Sequence, residues 1–135
     1  MATLAARVDA LGRVPLFAGL PKRSLERIAR AAADVEVREG QILIEANASG
    51  SGLFVIEEGT VAVLTRGRRP IELGPGEVVG ELALLRPDGH RTARVQATSA
   101  VRCLALDRRS FRQLLESEPK LALALLETLA ARLSP

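Results

Sequence analysis

The residues between positions 35 and 106 follow the pattern of short β-strands, and this pattern limits the folds that the chain can adopt. Apolar runs of three to five residues recur there, such as 53–56 (LFVI) and 60–64 (TVAVL), and turn signals rich in glycine separate them. Short strands at such spacing are typical of a sandwich or jelly roll. We therefore predict a jelly roll, or β-roll, over residues 35–106, in which 53–64 form a hairpin about Gly59.

Helical patterns precede and follow this strand-rich region. Apolar residues recur at helical spacing over residues 3–11 and 21–33. At the other end of the chain, Asp107 is a candidate N-cap, and Pro119 suits the first position of a helix. The 135 residues fit a single domain, mainly β with flanking α-helices. Its predicted parts are helical residues 1–34, a β-roll at 35–106 and two C-terminal helices at 107–133.

The last predicted helix, residues 119–133, is apolar over a wide arc. Leu121 and Leu125 fall on one side of it, whereas Leu126 and Ala130 fall on another. A surface helix normally shows a single apolar stripe. We therefore expect a second burial partner, which is a ligand, a symmetry-related copy or sequence outside this chain.

The composition argues against several classes of protein. The net charge is a modest +3 and the arginines are scattered among 16 acidic residues, so no direct contact with nucleic acid is expected. The basic cluster at 66–70 (RGRRP) fits a solvated turn better than a docking site for an acidic partner. No stretch approaches the ~18 apolar residues of a membrane span, so no membrane insertion is expected. Cys103 is the single cysteine and lies in an apolar run, which predicts a buried structural thiol in a cytoplasmic protein.

One stretch concentrates the polar chemistry of the chain, residues 80–95 (GELALLRPDGHRTARV). Gly80 leaves room for close backbone approach, and a helical turn beginning at Glu81 would present free N–H groups to an anion. Arg91 follows a Pro-Asp-Gly turn, can return to the same point and offers a planar pair of donors. The ionised Glu81 only accepts hydrogen bonds, so it suits hydroxyl donors. With the hydroxyl of Thr92, these groups fit a ribose ring that carries a phosphate.

This stretch resembles the phosphate-binding cassette of the cyclic-nucleotide-binding domain family. The family pattern runs Gly-Glu-Leu-Ala-Leu, a short insert, then Arg followed by Ser, Thr or Ala and by Ala. The family includes the kinase A regulatory subunit, the catabolite activator protein and cyclic-nucleotide-gated channels. The resemblance covers nearly the whole chain, from residues 14–17 to the last helix. It implies a β-roll with flanking helices, cAMP or cGMP as ligand without any cofactor, and C-terminal helices that move when the ligand binds.

The resemblance also implies roles for individual residues. Glu81 would hold the ribose 2′-hydroxyl, and Arg91 would hold the cyclic phosphate. Backbone amides near Leu82 and Ala83 would complete the phosphate cradle with Thr92. A threonine at this place occurs in cAMP binders, and in cGMP-selective members it helps to hold guanine. Thr92 is therefore compatible with both ligands, of which cAMP is favoured. The predicted ligand-binding residues are Gly80, Glu81, Leu82, Ala83, Arg91 and Thr92.

Some positions depart from the family pattern. Val79 stands where Phe or Ile is commoner, and the loop before Leu53 lacks the usual Gly-Asp, but neither change removes a ligand group. No aromatic residue in the last helix is available to stack on the base. The remaining candidates to cover the base are Leu125, Leu129 and Arg132. The charged neighbours expected to be solvated are Arg86, Asp88 and Arg94.

Two other classes of function compete with this interpretation. Jelly-roll enzymes of the cupin type bind a metal through clustered His and carboxylate residues, whereas this chain has one His, His90, and one Cys. His90 also has no evident partner with which to activate a serine, so an enzyme is not expected. A degenerate domain that serves as an interaction scaffold without nucleotide is opposed by Glu81 and Arg91. Besides a cyclic nucleotide, the expected partner is a second copy or a parent effector domain, such as a channel or a regulator, through the last helix.

Overall fold

The computed structural model describes residues 3–45, 52–80 and 93–133, the last range without the side chains of residues 132 and 133. Its helices are α1 (Leu4–Gly12), α2 (Lys22–Ala31), α3 (Arg108–Ser117) and α4 (Pro119–Leu133). Its strands are β1 (Ala33–Val37), β2 (Ile42–Ile44), β3 (Gly52–Glu58), β4 (Val61–Thr65), β5 (Ile71–Leu73), β6 (Val78–Val79), β7 (Ala93–Ala97) and β8 (Val101–Asp107). The chain divides into two compact units, which are Met1–Ala31 with Arg109–Pro135, and Ala32–Arg108.

The strands form two antiparallel four-stranded sheets. The first sheet has the order β1-β8-β3-β6, and the second has the order β2-β7-β4-β5. One buried cluster draws residues from both sheets, including Ile56 and Cys103 from the first and Val61 and Val95 from the second, each at most 3% exposed. This arrangement confirms the predicted fold class, a β-roll with helices before and after it.

The predicted hairpin over residues 53–64 is wrong, because β3 and β4 lie in different sheets. The chain passes from the first sheet to the second at Gly59 and Thr60. The Thr60 N–H donates to Ser99 Oγ at 3.0 Å, and its carbonyl accepts from the Thr98 N–H at 2.9 Å. The link from β7 to β8 also changes sheets, so two crossings are bonded to each other. Gly59, with φ of +88°, serves this close approach and not a hairpin turn.

A hairpin does join β4 to β5. Val61 lies opposite Leu73, and Val63 lies opposite Ile71. Its turn, residues 66–70, is exposed at every position, which confirms the prediction of a solvated basic turn.

The helical unit begins as the sequence indicates. Thr3 caps α1, since its Oγ1 accepts from the Ala6 N–H at 3.1 Å. Helix α2 ends at Ala31 and β1 begins at Ala33, about two residues earlier than the pattern predicts. The turn after α1 buries four apolar side chains, Val14, Leu16, Phe17 and Leu20. Among the residues with described positions, no helix is both long enough and apolar enough to cross a membrane.

Helix α4 buries one side and exposes leucines on another. Leu121 and Leu125 are 0% and 3% exposed, whereas Leu123 and Leu126 are 58% and 63% exposed. Pro119 occupies its first position, as predicted. The wide apolar arc seen in the sequence therefore leaves leucine surface open to solvent.

Candidate functional site

The candidate binding segment, residues 81–92, joins the two sheets of the roll. It follows β6, an edge strand of the first sheet, and precedes β7, an inner strand of the second. Gly80, the residue before it, has φ of +93°, in the left-handed region that favours glycine. Gly80 is the one predicted ligand-binding residue among those the structure describes. The residues of interest that lie outside the described residues are Glu81, Leu82, Ala83, Arg86, Asp88, His90, Arg91 and Thr92.

The strand that leads into this segment is fixed by a tight turn and by pairing. A GPGE turn begins at Gly74, whose carbonyl accepts from the Glu77 N–H at 3.1 Å. Proline at its second position and Gly76, with φ of +87°, at its third are typical of a type II turn. The Gly76 N–H donates to the Ile56 carbonyl at 2.8 Å, and the Ile56 N–H donates to the Glu77 carbonyl at 2.9 Å. The segment therefore starts from a fixed point on the first sheet.

The strand that follows the segment is equally well held. Ala93 lies opposite Thr65 of β4, and Arg94 lies opposite Leu64. The Arg94 guanidinium pairs with Glu45, with Nη2 at 2.7 Å from Oε1 and Nε donating to the same oxygen at 2.8 Å. Both side chains are 46% exposed, which confirms that Arg94 is solvated, and such a pair contributes about 0–1 kcal/mol. The positive charge of Arg94 is therefore paired with the carboxylate of Glu45.

The inner face of the second sheet is closed at one end and open at the other. Val61 and Ala97, at the closed end, are 0% and 2% exposed. Val63 packs against the core of the roll, and Ile71 lies opposite it, so both side chains share the inner face. Ile71 is nevertheless 57% exposed. By the same alternation the open edge comprises Val63, Thr65, Ile71 and Ala93.

This open edge adjoins the end of the candidate segment, because Ala93 follows residue 92 directly. Ligand sites combine apolar walls with a few well-placed polar groups. Ile71 offers such a wall, with apolar area that a flat ring can cover. Ile71 was not predicted from the sequence as a candidate site residue. Its alternation with Leu73 indicates a shared face, but the register that sets Ile71 against Val63 at the sheet edge is not readable from the sequence.

A groove at the opposite end of the roll has a different character. It has a volume of about 610 Å³ and lies beside the β1–β2 turn and the start of β8. Its Arg102 is already paired, with Nη2 at 2.9 Å from Glu58 Oε1 and Nε at 3.5 Å from Glu57 Oε2. The charged residues of its lining are Glu36, Arg38, Glu39, Glu58 and Arg102. Because these carboxylates oppose an anionic ligand, we do not assign a phosphate site to this groove.

Within the described ranges no group of three or more His, Cys, Asp or Glu side chains could hold a metal ion. Cys103 is fully buried, and its Sγ lies 3.7 Å from the carbonyl oxygen of Val35. Burial, with the added charge of Glu57, raises the pKa of the Cys103 thiol to about 11. The thiol is therefore neutral near pH 7, which confirms the prediction of a structural cysteine.

Known proteins match this chain in sequence and in fold. The family model described as "Cyclic nucleotide-binding domain" matches residues 34–118. A cyclic nucleotide-gated potassium channel of Mesorhizobium japonicum is 37% identical over 109 residues, which are 81% of this chain and 30% of the channel. The chain thus spans about a third of the length of that relative.

Two solved structures share the fold. One is the regulatory subunit of a cAMP-independent protein kinase A from Trypanosoma brucei, with a TM-score of 0.83, 28% identity and coverage of 93% of this chain and 46% of that one. The other is the catabolite activator protein of Thermus thermophilus, with a TM-score of 0.76, 29% identity and coverage of 88% and 58%. The family model covers more than half of this chain, and it includes the whole segment between β6 and β7. The chain belongs to the cyclic nucleotide-binding domain family.

Proposed function

We propose that this chain is a sensor domain that binds a cyclic nucleotide, cAMP in preference to cGMP, and answers by a movement of its C-terminal helices. The observation that carries the proposal is the family match over residues 34–118, which contains Glu81 and Arg91 at the spacing of the phosphate-binding cassette. The function is binding without catalysis. We place it in the cytoplasm, where a cysteine such as Cys103 stays reduced.

In this proposal the cyclic phosphate and the ribose are held by the segment between the two sheets. A cyclic phosphate keeps one negative charge, whose transfer from water is costly unless donors replace its hydration. Arg91 supplies the countercharge, and the amides of Leu82 and Ala83 supply dipoles with the hydroxyl of Thr92. Glu81 accepts from the ribose 2′-hydroxyl. The positive φ of Gly80 supports a sharp turn at the start of this cradle.

The base is proposed to lie on the open edge. Val63 and Ile71 give it an apolar wall beside the end of the segment, and such a wall suits the face of a purine. The residue that covers the base is proposed to come from the last helix, with Leu125, Leu129 and Arg132 as the candidates.

The response to the ligand is a shift of population between arrangements of the C-terminal helices. A ligand changes such an equilibrium only by its difference in affinity for the two arrangements. The helix that moves when the ligand binds is expected to be α4, because its apolar residues lie on more than one of its sides. Its exposed Leu123 and Leu126 recur with Ala130 at the three- and four-residue spacing of paired helices. We propose a second copy of this chain as the partner for that face.

The experiment that tests the proposal is a calorimetric titration of the chain with cAMP and with cGMP, with 5′-AMP as the matched control. The expected result is saturable binding of cAMP, weaker binding of cGMP and none of 5′-AMP, whose open phosphate carries an additional charge. At about 100 times the dissociation constant, cAMP should stabilise the fold by about 2.7 kcal/mol. Thr92→Ala should weaken the binding of cAMP and cGMP equally if the Thr92 hydroxyl holds the phosphate. It should weaken the binding of cGMP more than that of cAMP if the hydroxyl holds guanine.

The second candidate is an interaction scaffold that binds no cyclic nucleotide. The observation in its favour is that the kinase regulatory subunit with the same fold is named cAMP-independent. The titration separates the two functions, because a scaffold gives no binding heat with either cyclic nucleotide. A scaffold also leaves the melting temperature unchanged at millimolar cAMP and cGMP. Glu81 and Arg91 together favour the sensor.

A further inference from the structure

One residue, Glu118, separates α3 from α4 and is bonded in both directions. Its N–H donates to the Leu114 carbonyl at 2.8 Å, which closes the last turn of α3. Its carbonyl accepts from the N–H groups of Leu121 at 3.0 Å and Ala122 at 3.3 Å, which open α4. The direction in which α4 leaves α3 therefore depends on the backbone conformation of Glu118.

The side chain of Glu118 is tied to α2. Ser24 Oγ donates a hydrogen bond to Glu118 Oε1. Arg27, one turn further along α2, places Nη1 3.8 Å from the same oxygen and 3.4 Å from Ser117 Oγ. Two residues of α2 at i and i+3 thus contact Glu118, and Arg27 also contacts the last residue of α3, Ser117.

This contact is buried and polar. Ser24 is 0% exposed, the single fully buried polar or charged residue in the described part of the chain, and the Glu118 side chain is 15% exposed. A buried hydroxyl on a carboxylate makes a charge-assisted hydrogen bond, and its loss would remove one of the groups that compensate for the desolvation of Glu118. Ser24 also lies in the first turn of α2, since its N–H donates to the Pro21 carbonyl at 3.0 Å. The amino end of a helix favours a carboxylate nearby.

We propose that Ser24, Arg27 and Glu118 form a latch that holds the junction of α3 and α4 in one arrangement, and that α4 changes direction when this latch opens. The role of a nucleotide in opening it rests on the proposed function. The latch itself rests on the contacts of its three side chains and not on a ligand.

Amide hydrogen exchange on the full chain without nucleotide tests the latch. Ser24→Ala should speed exchange at the amides of Leu121, Ala122 and Leu125 by about ten- to a hundredfold, the range expected for a lost hydrogen bond to a charged group. Amides of the roll, such as that of Val95, should exchange at the parent rate. Equal rates in parent and variant throughout α4, or an equal acceleration in α4 and in the roll, would overturn the proposal.

A second variant keeps the test open if Ser24→Ala does not fold. Arg27→Gln removes a side chain that is 51% exposed, so the fold should survive, and exchange in α4 should rise about threefold. Arg30→Gln is its matched control, because Arg30 pairs at 3.9 Å with Glu26 of the same helix and should leave α4 unchanged. Equal exchange in α4 for both variants would contradict the latch.

A graded response distinguishes a latch from a contact that only adds stability. Glu118→Gln keeps an oxygen that can accept from Ser24 but loses the charge facing Arg27, so its exchange in α4 should fall between those of the parent and Glu118→Ala. Purely structural support of the helical unit would speed exchange in α1 and α2 in proportion. Where cAMP binds the parent, Ser24→Ala should change its dissociation constant measurably, by up to the factor seen in the exchange. An unchanged constant would refute the link to the ligand, whereas no binding to the parent would refute the proposed function alone.

Discussion

Gly59 lies so close to the main chain of Ala100 that a Cβ atom on it would stand 2.1 Å from the Ala100 carbonyl oxygen. This approach brings together the two links at which the chain changes sheets, between β3 and β4 and between β7 and β8. Thr60 and Ser99 bond across the same junction at 3.0 Å. The two sheets are thereby fixed at the end of the roll opposite the candidate site.

Gly59→Ala should destabilise the fold by about 3 kcal/mol or more, because the new methyl group meets main-chain atoms and the residue keeps a φ of +88°. Gly40→Ala is the matched control, since Gly40 has the same φ but no atom within 4 Å of its Cβ position. Its cost should be only about 1 kcal/mol, the penalty of the left-handed conformation. Urea unfolding of the two variants measures the difference. Equal losses in the free energy of unfolding would show that the close approach at Gly59 does not contribute to the cost.

Much of the fold could be predicted from the sequence because local patterns set it. The helical periods, the proline that starts α4 and the glycine-rich turns predict elements that the structure contains. The sheet to which a strand belongs depends on distant partners. Gly59 is typical of a turn in either topology, so the local pattern of residues 53–64 favoured a hairpin, although β3 pairs with β8 and β6.

The candidate site also contains residues that could be predicted from the sequence and one, Ile71, that could not. The binding chemistry of Glu81 and Arg91 is a matter of residue types at a fixed spacing, and it was predicted from the sequence. Ile71 could not be assigned to the site, because its exposure on the inner face follows from cross-strand register and from the position of β5 at the edge of the sheet. The latch at Glu118 likewise joins residues 94 positions apart, which no local pattern relates.

The raised pKa of Cys103 predicts a loss of stability at high pH. Between its ordinary value of 9.0 and about 11, the thiol ionises in the unfolded chain but stays protonated in the folded one. The folded state then binds more protons, so the free energy of unfolding falls as pH rises through this window, by at most about 3 kcal/mol. Urea unfolding at pH 8 to 11 should show this fall in the parent and a smaller one in Cys103→Ala. Identical pH dependence in both proteins would refute the assignment.

Ile71→Ala should weaken cAMP binding about five- to thirtyfold if the base covers this side chain, in line with the apolar area that a half-exposed isoleucine can still bury. The free energy of unfolding should change little, because Ile71 is 57% exposed. Ile42→Ala is the control, since Ile42 is 42% exposed but pairs with Gln96 on the outer face of the same sheet. Calorimetric titration with cAMP measures both affinities. An equal effect of the two changes would show that the base does not lie on Ile71.

Leu126→Glu should abolish self-association of the chain, because a charge on the exposed face of α4 opposes helix pairing. Leu126 is 63% exposed, so the monomer should fold normally. Leu4→Glu is the control, as Leu4 is a 38% exposed leucine on α1. Sedimentation velocity over a range of concentrations should show a dimer for the parent and Leu4→Glu and a monomer for Leu126→Glu. A parent that stays monomeric at all concentrations would contradict the pairing of α4.

Calorimetric titration of the parent, Arg91→Ala and Arg94→Ala with cAMP tests most directly whether this chain holds a cyclic phosphate through Arg91. Removing one partner of a buried charge pair costs about 2–5 kcal/mol, so Arg91→Ala should bind about thirtyfold to several thousandfold more weakly. Arg94→Ala should bind as the parent does, because that guanidinium is paired with Glu45. Failure of the parent to bind cAMP would contradict the proposed function, and equal affinity of the parent and Arg91→Ala would contradict the role of Arg91.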